Sequence, residues 1–318
     1  MQHGLWTRSH SWRCPSQASR CASDILYWRF VNLQLQSHGC NCTLSEGTKT
    51  AHAIIVDSAP FYKKLSLELG GKNPNIIFDD ADLSQAVPTS VRSSFANQGE
   101  ICLCGSRLFV QKGIYDKFLE QFIAQAKQLK VHITRLSLSL LLGALTRTKY
   151  IQVGDPKEPS TNMGALVSKE HLEKIQYYVE LAKEEGGKIV LGGDRPNLDG
   201  ELKNGYYHNP TVIVGLPPSC RVQQEEIFGP VVTVTPFESE EEVIEWANCV
   251  KYGLSATVWT ENLRKAHRVA QELKAGTVWI NTWMKVYHKT QNTSVFDLSF
   301  RLMVFILTAR LACAIWRS

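Results

Sequence analysis

Two short stretches carry the residue types that covalent catalysis through a thioester needs. Cys102 lies in the run FANQGEICLC at 95–104, and a cysteine whose thiolate is stabilised is the most nucleophilic side chain at neutral pH. The glycine in this turn, Gly99, allows a backbone N–H to point at the oxyanion that attack on a carbonyl would form. Upstream, the run LELGGKNP at 67–74 carries Glu68. These stretches predict a nucleophile and a carboxylate that activates water.

Each of these residues also has a simpler interpretation. A single cysteine is most often a small buried side chain, and a single glutamate after a strand is most often solvated. Glu68 precedes Gly70 and Gly71, so it is expected at a strand end, where burial would raise its pKa and suit it to act as a base. Cys104 is a rival nucleophile, because residues two apart in an extended stretch point the same way. The residues alone leave the choice between Cys102 and Cys104 open.

The composition excludes several classes of protein. The chain has 318 residues, of which 44% are hydrophobic and 20% charged, and these are values of a globular protein. A net charge of +5 without a basic stripe argues against nucleic-acid binding. The apolar runs at 137–145 and 302–307 are too short to span a bilayer, so we expect no membrane insertion. No zinc-like ligand spacing follows Cys40 and Cys42, so no metal is expected.

The cysteines and the first residues bear on localisation. Nine cysteines without a repeated framework fit free thiols in a reducing compartment, which favours the cytoplasm. Residues 1–46 are rich in arginine and serine and have Asp24 as the only acid before Glu46. This composition keeps a mitochondrial transit peptide as the alternative.

The order of the elements indicates α/β architecture with a largely parallel sheet. A helix from Thr48 should end near Pro60, and Pro88 should kink or shorten the helix that leads into the cysteine turn. Predicted helix caps are Asp80 or Asp82, Ser168, Ser239 and Asn262. Strands are predicted at 63–69, 75–78, 107–111, 188–191, 211–214, 256–259 and 277–280.

Six motifs in order resemble the aldehyde dehydrogenase superfamily. Its two active-site signatures are similar to LELGGKNP and FANQGEIC, and the further matches are GYYHNPT at 205–211, EEIFGPV at 225–231, YGLSA at 252–256 and GTVWIN at 276–281. The flanks look most like the 2-aminomuconic semialdehyde dehydrogenase branch of that family. The resemblance implies the family's α/β catalytic domain, a small-molecule aldehyde substrate and NAD-dependent oxidation of a semialdehyde to a carboxylic acid.

The resemblance also implies a role for each matching residue. Cys102 matches the nucleophile that forms a thiohemiacetal and then a thioester, and Glu68 matches the base that activates water to hydrolyse the thioester. Glu226 matches the carboxylate that holds the nicotinamide ribose. Phe228 matches the aromatic residue near the nicotinamide ring, and Leu69 falls where the family touches the carboxamide.

The resemblance covers residues 48–131 and 153–284. We therefore predict an N-terminal extension at 1–47 that is poorly ordered, a remnant of the NAD-binding domain at 48–69, a catalytic domain at 70–284 with an insert at 132–152, and an unmatched tail at 285–318. Most of the cofactor domain, including its pyrophosphate turn expected at 45–47, would be missing. The strand with which the family assembles homo-oligomers would be missing too. Two alternatives follow: an impaired fragment or splice product without dehydrogenase turnover, which could be an interaction subunit, and a residual thiol esterase.

Overall fold

A computed structural model describes residues 35–36, 39–40, 42–45, 48–62, 65–127, 161 and 163–285. The chain divides into two compact units, Met1–Leu69 and Gly70–Ser318. The predicted insert at 132–152, and the tail apart from Lys285, lie outside the described residues. Of the predicted extension at 1–47, only three short strands are described. Within the described part of the chain, no helix is long and apolar enough to cross a bilayer.

The smaller unit contains a parallel strand–helix–strand arrangement. Its elements are β1 (Leu35–Gln36), β2 (Gly39–Cys40), β3 (Cys42–Ser45), α1 (Thr48–Ser58) and β4 (Leu65–Glu68). Strands β1 and β2 pair antiparallel, while β3 and β4 pair parallel with α1 between them in sequence. The helix ends where Pro60 predicts, and a single 3-10 turn at Ala59–Phe61 follows it.

The larger unit is built on a seven-stranded sheet. Its strands are β5 (Pro74–Ile77), β6 (Arg107–Gln111), β7 (Lys188–Leu191), β8 (Thr211–Val214), β9 (Val231–Phe237), β10 (Ser255–Trp259) and β11 (Thr277–Ile280). The order across the sheet is β11-β10-β5-β6-β9-β8-β7. Strands β7 and β8 pair antiparallel, and the other neighbouring strands of this sheet pair parallel. The predicted largely parallel sheet is confirmed.

Helices flank this sheet, and local signals set where they begin. They are α2 (Leu83–Phe95), α3 (Tyr115–Lys127), α4 (Lys169–Glu184), α5 (Arg221–Gln224), α6 (Glu240–Asn248) and α7 (Leu263–Glu272). Four of them start with a side chain that accepts a hydrogen bond from a backbone N–H of the first turn, as an N-cap does. These caps are Asp82, Ser168, Ser239 and Asn262. The structure thus selects Asp82 over Asp80.

Pro88 does not end α2, which continues from Pro88 to Phe95. Interior proline costs roughly 3 kcal/mol or more. Val87, Val91 and Phe95 are buried in the same apolar cluster on either side of the proline, and each such side chain contributes about 1.5–3 kcal/mol. Packing therefore outweighs the lost hydrogen bond.

Strand β9 has no counterpart among the sequence-predicted strands, although it lies inside the sheet between β6 and β8. Proline lacks the N–H that a ladder requires, and Pro236 makes 231–237 a poor candidate for a central strand. In the structure β8 pairs with β9 only as far as Val234. Pro236 lies beyond that ladder and faces only Val110 of β6. The N–H that Pro236 lacks is therefore not needed for the pairing between β8 and β9.

Candidate active site

The predicted nucleophile lies in a turn, residues 97–104, that follows α2 and is called the nucleophile turn below. Its first three residues are all left-handed, with φ of 49° at Asn97, 58° at Gln98 and 74° at Gly99. A left-handed non-glycine residue is strained and persists only when its surroundings hold it. The amide of Gln98 does this, because it donates to Ala165 O at 3.2 Å and accepts from Gly164 N at 3.1 Å.

Gly99 lets the nucleophile turn approach the segment that carries the predicted cofactor residues. A Cβ at Gly99 would lie closer than 3.0 Å to Gly229 O, Gly229 C and Pro230 N, all of them backbone atoms. Only glycine combines a left-handed backbone with such a close approach. The turn and the motif at 225–231 are therefore packed backbone against backbone.

Three successive carbonyls of the nucleophile turn are held by distant side chains. Asn73 Nδ2 donates to the carbonyls of Cys102 and Cys104, at 2.8 Å each, and Trp283 Nε1 donates to Leu103 O at 3.0 Å. Asn73 is itself fixed, because its Oδ1 accepts from Ser255 N at 3.1 Å. The backbone on either side of the Cys102 side chain is thus held by groups from outside the turn. Sequence reasoning missed Asn73, although it lies inside the LELGGKNP run.

Burial separates the two rival cysteines. Cys104 is only 6% exposed, and burial raises the pKa of its thiol to about 12. A thiol that stays protonated is a poor nucleophile. Cys102 is half-buried, so it is more accessible to solvent than Cys104. The geometry favours Cys102 for the role that the residues alone left open.

The Glu226 carboxylate lies over the two glycines of the LELGGKNP run. Gly71 N donates to Glu226 Oε1 at 3.0 Å, and a Cβ at Gly70 would overlap Glu226 Oε2. Gly71 also lies close to the nucleophile turn, because a Cβ at Gly71 would be 2.6 Å from Cys102 O. The glycine pair therefore fits between the carboxylate and the nucleophile turn.

Burial raises the pKa of Glu226, while the Gly71 N–H and the nearby cation of Lys174 favour its charged form. Sequence reasoning missed Lys174. The sequence signal that could have identified it is a lysine on the otherwise apolar side of α4, which indicates a nearby acidic group.

Phe228 is left-handed, with φ of 60°, and is held by a histidine. His171 Nε2 lies 2.6 Å from Phe228 O, and the two rings meet edge to face with centroids 6.1 Å apart. The same Nε2 lies 3.4 Å from Glu100 Oε1. Burial lowers the pKa of His171 and raises the pKa of Glu100. The sequence singled out neither of these residues.

The larger unit brings together part of the predicted site. A small cavity lies between the nucleophile turn and the 226–229 segment, and Gly71, Gly99, Cys104, Glu226 and Phe228 are among its lining residues. In the described residues no group of three or more His, Cys, Asp or Glu side chains is arranged to hold a metal.

Glu68 and Leu69 are the last two residues of the smaller unit. Glu68 is the last residue of β4, where it pairs in register with Ser45. It is half-buried, and burial raises the pKa of its carboxyl, which suits a base that takes a proton from water. Leu69 is half-buried and follows directly.

A family model decides the classification. The model described as "Aldehyde dehydrogenase family" matches residues 42–147 and 138–294. The chain belongs to the aldehyde dehydrogenase family. The first match begins at residue 42, ahead of the predicted start at 48, and the two matches overlap within the segment that the sequence predicts to be an insert.

Curated members of the family confirm the predicted branch resemblance. The chain is 50% identical over 237 residues to 2-aminomuconic semialdehyde dehydrogenase of Bos taurus, covering 74% of this chain and 44% of that protein. The Homo sapiens protein of that name gives the same identity and coverage. A 2-hydroxymuconic semialdehyde dehydrogenase of Pseudomonas sp. (strain CF600) is 41% identical over 241 residues, or 76% of this chain and 45% of that protein. The chain thus spans less than half the length of these relatives.

A solved structure confirms the fold class. Betaine aldehyde dehydrogenase from Staphylococcus aureus in complex with NAD+ is similar with a TM-score of 0.69 and 40% identity. The similarity covers 79% of this chain and 45% of that chain. The α/β catalytic domain implied by the six motifs is therefore the fold of this protein.

Proposed function

We propose that the protein oxidises a semialdehyde to a carboxylic acid, with Cys102 as the nucleophile, Glu68 as the base and NAD as the hydride acceptor. The observation that carries this proposal is the nucleophile turn itself. Its strained entry, its three held carbonyls and the half-buried Cys102 form a preorganised nucleophile, which is the device that covalent catalysis needs.

The proposed role of Cys102 is to bond the substrate. Its thiolate attacks the aldehyde carbon, a C–S bond forms, and the carbonyl oxygen takes up a proton to give a thiohemiacetal. Loss of hydride from that carbon, together with the hydroxyl proton, leaves a thioester. Because Asn73 holds the carbonyls of Cys102 and Cys104, the backbone that carries the sulfur is positioned before the substrate binds.

The proposed role of Glu68 is to complete the cycle. Its carboxylate takes a proton from water, the hydroxide adds to the thioester carbon, and the C–S bond breaks to release the acid and the Cys102 thiol. Burial raises the pKa of Glu68, and a carboxylate with a raised pKa is a stronger base towards water.

The residues present fit the nicotinamide end of NAD, which supplies the hydride-accepting ring when it is bound. Gly70 leaves the Glu226 carboxylate room that a Cβ would fill, Gly71 N donates a hydrogen bond to that carboxylate, and a carboxylate can also accept hydrogen bonds from ribose hydroxyls. Phe228 presents an aromatic ring from the facing segment, and Leu69 is the proposed carboxamide contact. The Staphylococcus aureus neighbour binds NAD+, and the curated relatives named above act on muconic semialdehydes, which supports this cofactor and this substrate class.

The test uses the whole chain, 2-hydroxymuconic semialdehyde and NAD, with NADH absorbance as the measurement. We expect turnover that Cys102→Ala lowers on the order of 10³-fold or more and that Cys249→Ala, at an exposed cysteine, leaves unchanged. Glu68→Gln should slow turnover and accumulate a thioester on the Cys102 peptide, visible by mass spectrometry. Absence of NADH formation, or turnover that survives Cys102→Ala, would contradict the proposal.

A further inference from the structure

His171 is a buried residue that the proposed steps do not use. It is 3% exposed and lies in the first turn of α4. The side chain of the N-cap Ser168 accepts a hydrogen bond from His171 N at 3.2 Å, so the cap positions the backbone from which the imidazole ring extends. The ring then extends to Phe228, 57 residues further along the chain.

The hydrogen bonds of His171 define which ring nitrogen carries the proton. A carbonyl oxygen can only accept, so the 2.6 Å contact with Phe228 O requires Nε2 to donate. Nδ1 is buried and has no hydrogen-bond partner among the described residues, which is the arrangement of a neutral imidazole with its proton on Nε2. Burial lowers the pKa of His171, in agreement with a neutral ring.

Phe228 needs such a partner because its backbone is strained. A left-handed backbone at a bulky residue costs on the order of 1–3 kcal/mol, and φ of Phe228 is 60°. Helix α4 braces the segment at two points one turn apart. His171 holds the Phe228 carbonyl, and Ile175 packs so closely that any Cβ at Gly229 would overlap its Cδ1.

Glu100 extends this contact to the nucleophile turn. Its Oε1 lies 3.4 Å from His171 Nε2 and accepts from Val167 N at 3.1 Å. Glu100 is only two residues ahead of Cys102. The imidazole is thus between the proposed cofactor aromatic residue and the turn of the proposed nucleophile.

We propose that His171 is a positioning residue. Its Nε2–H holds the Phe228 carbonyl, and its contact with Glu100 keeps the Phe228 ring in a fixed position relative to the nucleophile turn. The role of Phe228 beside the nicotinamide rests on the proposed function. The hydrogen bond and the tautomer do not depend on that function. The consequence for catalysis is a poorer fit of NAD when the donor is removed.

The kinetic test compares two substitutions. His171→Gln keeps an N–H close to the position of Nε2, whereas His171→Leu removes it. We expect His171→Leu to raise the KM for NAD about fivefold to tenfold with a smaller change in kcat, and His171→Gln to stay within about twofold of the unchanged protein. His267→Gln, at an exposed histidine, is the control. An unchanged KM in His171→Leu, or equal damage in both variants, would overturn the proposal.

A measurement without cofactor separates this proposal from the proposed function. In the whole chain labelled with ¹⁵N-histidine, long-range ¹H–¹⁵N spectra report the tautomer of each ring, and the signals missing from His171→Gln assign His171. We expect the Nε2–H tautomer, and the Nδ1–H tautomer would refute the proposal. If the chain forms no NADH, the proposed function fails while the tautomer still decides the role of His171.

Discussion

Gly99→Ala is the sharpest test of the packing around the nucleophile turn. Gly99 is left-handed, with φ of 74°, and Gly200 is a matched control with φ of 62°. The two positions differ in their surroundings. A Cβ at Gly99 would come within 3.0 Å of three backbone atoms of Gly229 and Pro230, whereas a Cβ at Gly200 would meet no atom of the described residues within 4 Å.

The expected changes in the free energy of unfolding follow from two contributions, the left-handed backbone at both glycines and the close backbone contact at Gly99 alone. An L-residue in the left-handed region costs roughly 1–2 kcal/mol, offset by about 0.4–1 kcal/mol because alanine restricts the unfolded chain. Gly200→Ala should therefore lower the free energy of unfolding by about 1 kcal/mol. Gly99→Ala should carry an additional cost of about 1–3 kcal/mol, because backbone atoms must move to accept the new methyl group.

Urea-induced unfolding followed by tryptophan fluorescence measures both variants, and the rate of Cys102 alkylation by iodoacetamide gives a local readout. Gly99→Ala should change the alkylation rate because it displaces the nucleophile turn, while Gly200→Ala should leave the rate unchanged. If the two variants agree in free energy of unfolding within about 0.5 kcal/mol, and alkylate alike, the close packing of Gly99 against Gly229 does not constrain the turn.

Two further predictions concern titration. At pH 8 iodoacetamide should label Cys102 and spare Cys104 in the folded protein, because the Cys104 thiol, with a pKa of about 12, is only about 10⁻⁴ ionised. Mass spectrometry measures the labelling of each cysteine, with urea-unfolded protein as the control. Equal labelling of both cysteines in the folded protein would contradict this prediction. Burial lowers the pKa of Lys72 to about 7 from its ordinary value of 10.5, so the unfolded chain binds more protons between these pH values and stability rises with pH there. The free energy of unfolding should increase by roughly 2 kcal/mol from pH 7 to pH 9, and an equal increase in Lys72→Met would contradict this.

Much of the fold could be predicted from the sequence because its signals are local. An N-cap needs one side chain and the N–H of the next turn, so Ser168, Ser239 and Asn262 identified their helices directly. The strands of a parallel sheet are continuous apolar runs, and β5, β6 and β10 appeared as such. The site motifs at 67–74, 95–104 and 225–231 are also contiguous, and so their resemblance to the family's motifs could be read from the sequence and predicted Cys102, Glu68 and Glu226 as site residues, while the residues alone left Cys104 as a rival nucleophile.

Only the tertiary structure decided what depends on residues far apart in the chain. Strand β9 enters the sheet despite Pro236 because the β8 ladder stops short of it. Cys104 is distinguished from Cys102 by burial. Asn73 holds carbonyls 29 and 31 residues away, and His171 holds one 57 residues away. No periodicity encodes such contacts, because folding brings these groups within hydrogen-bonding distance only when the whole sheet and its helices have packed.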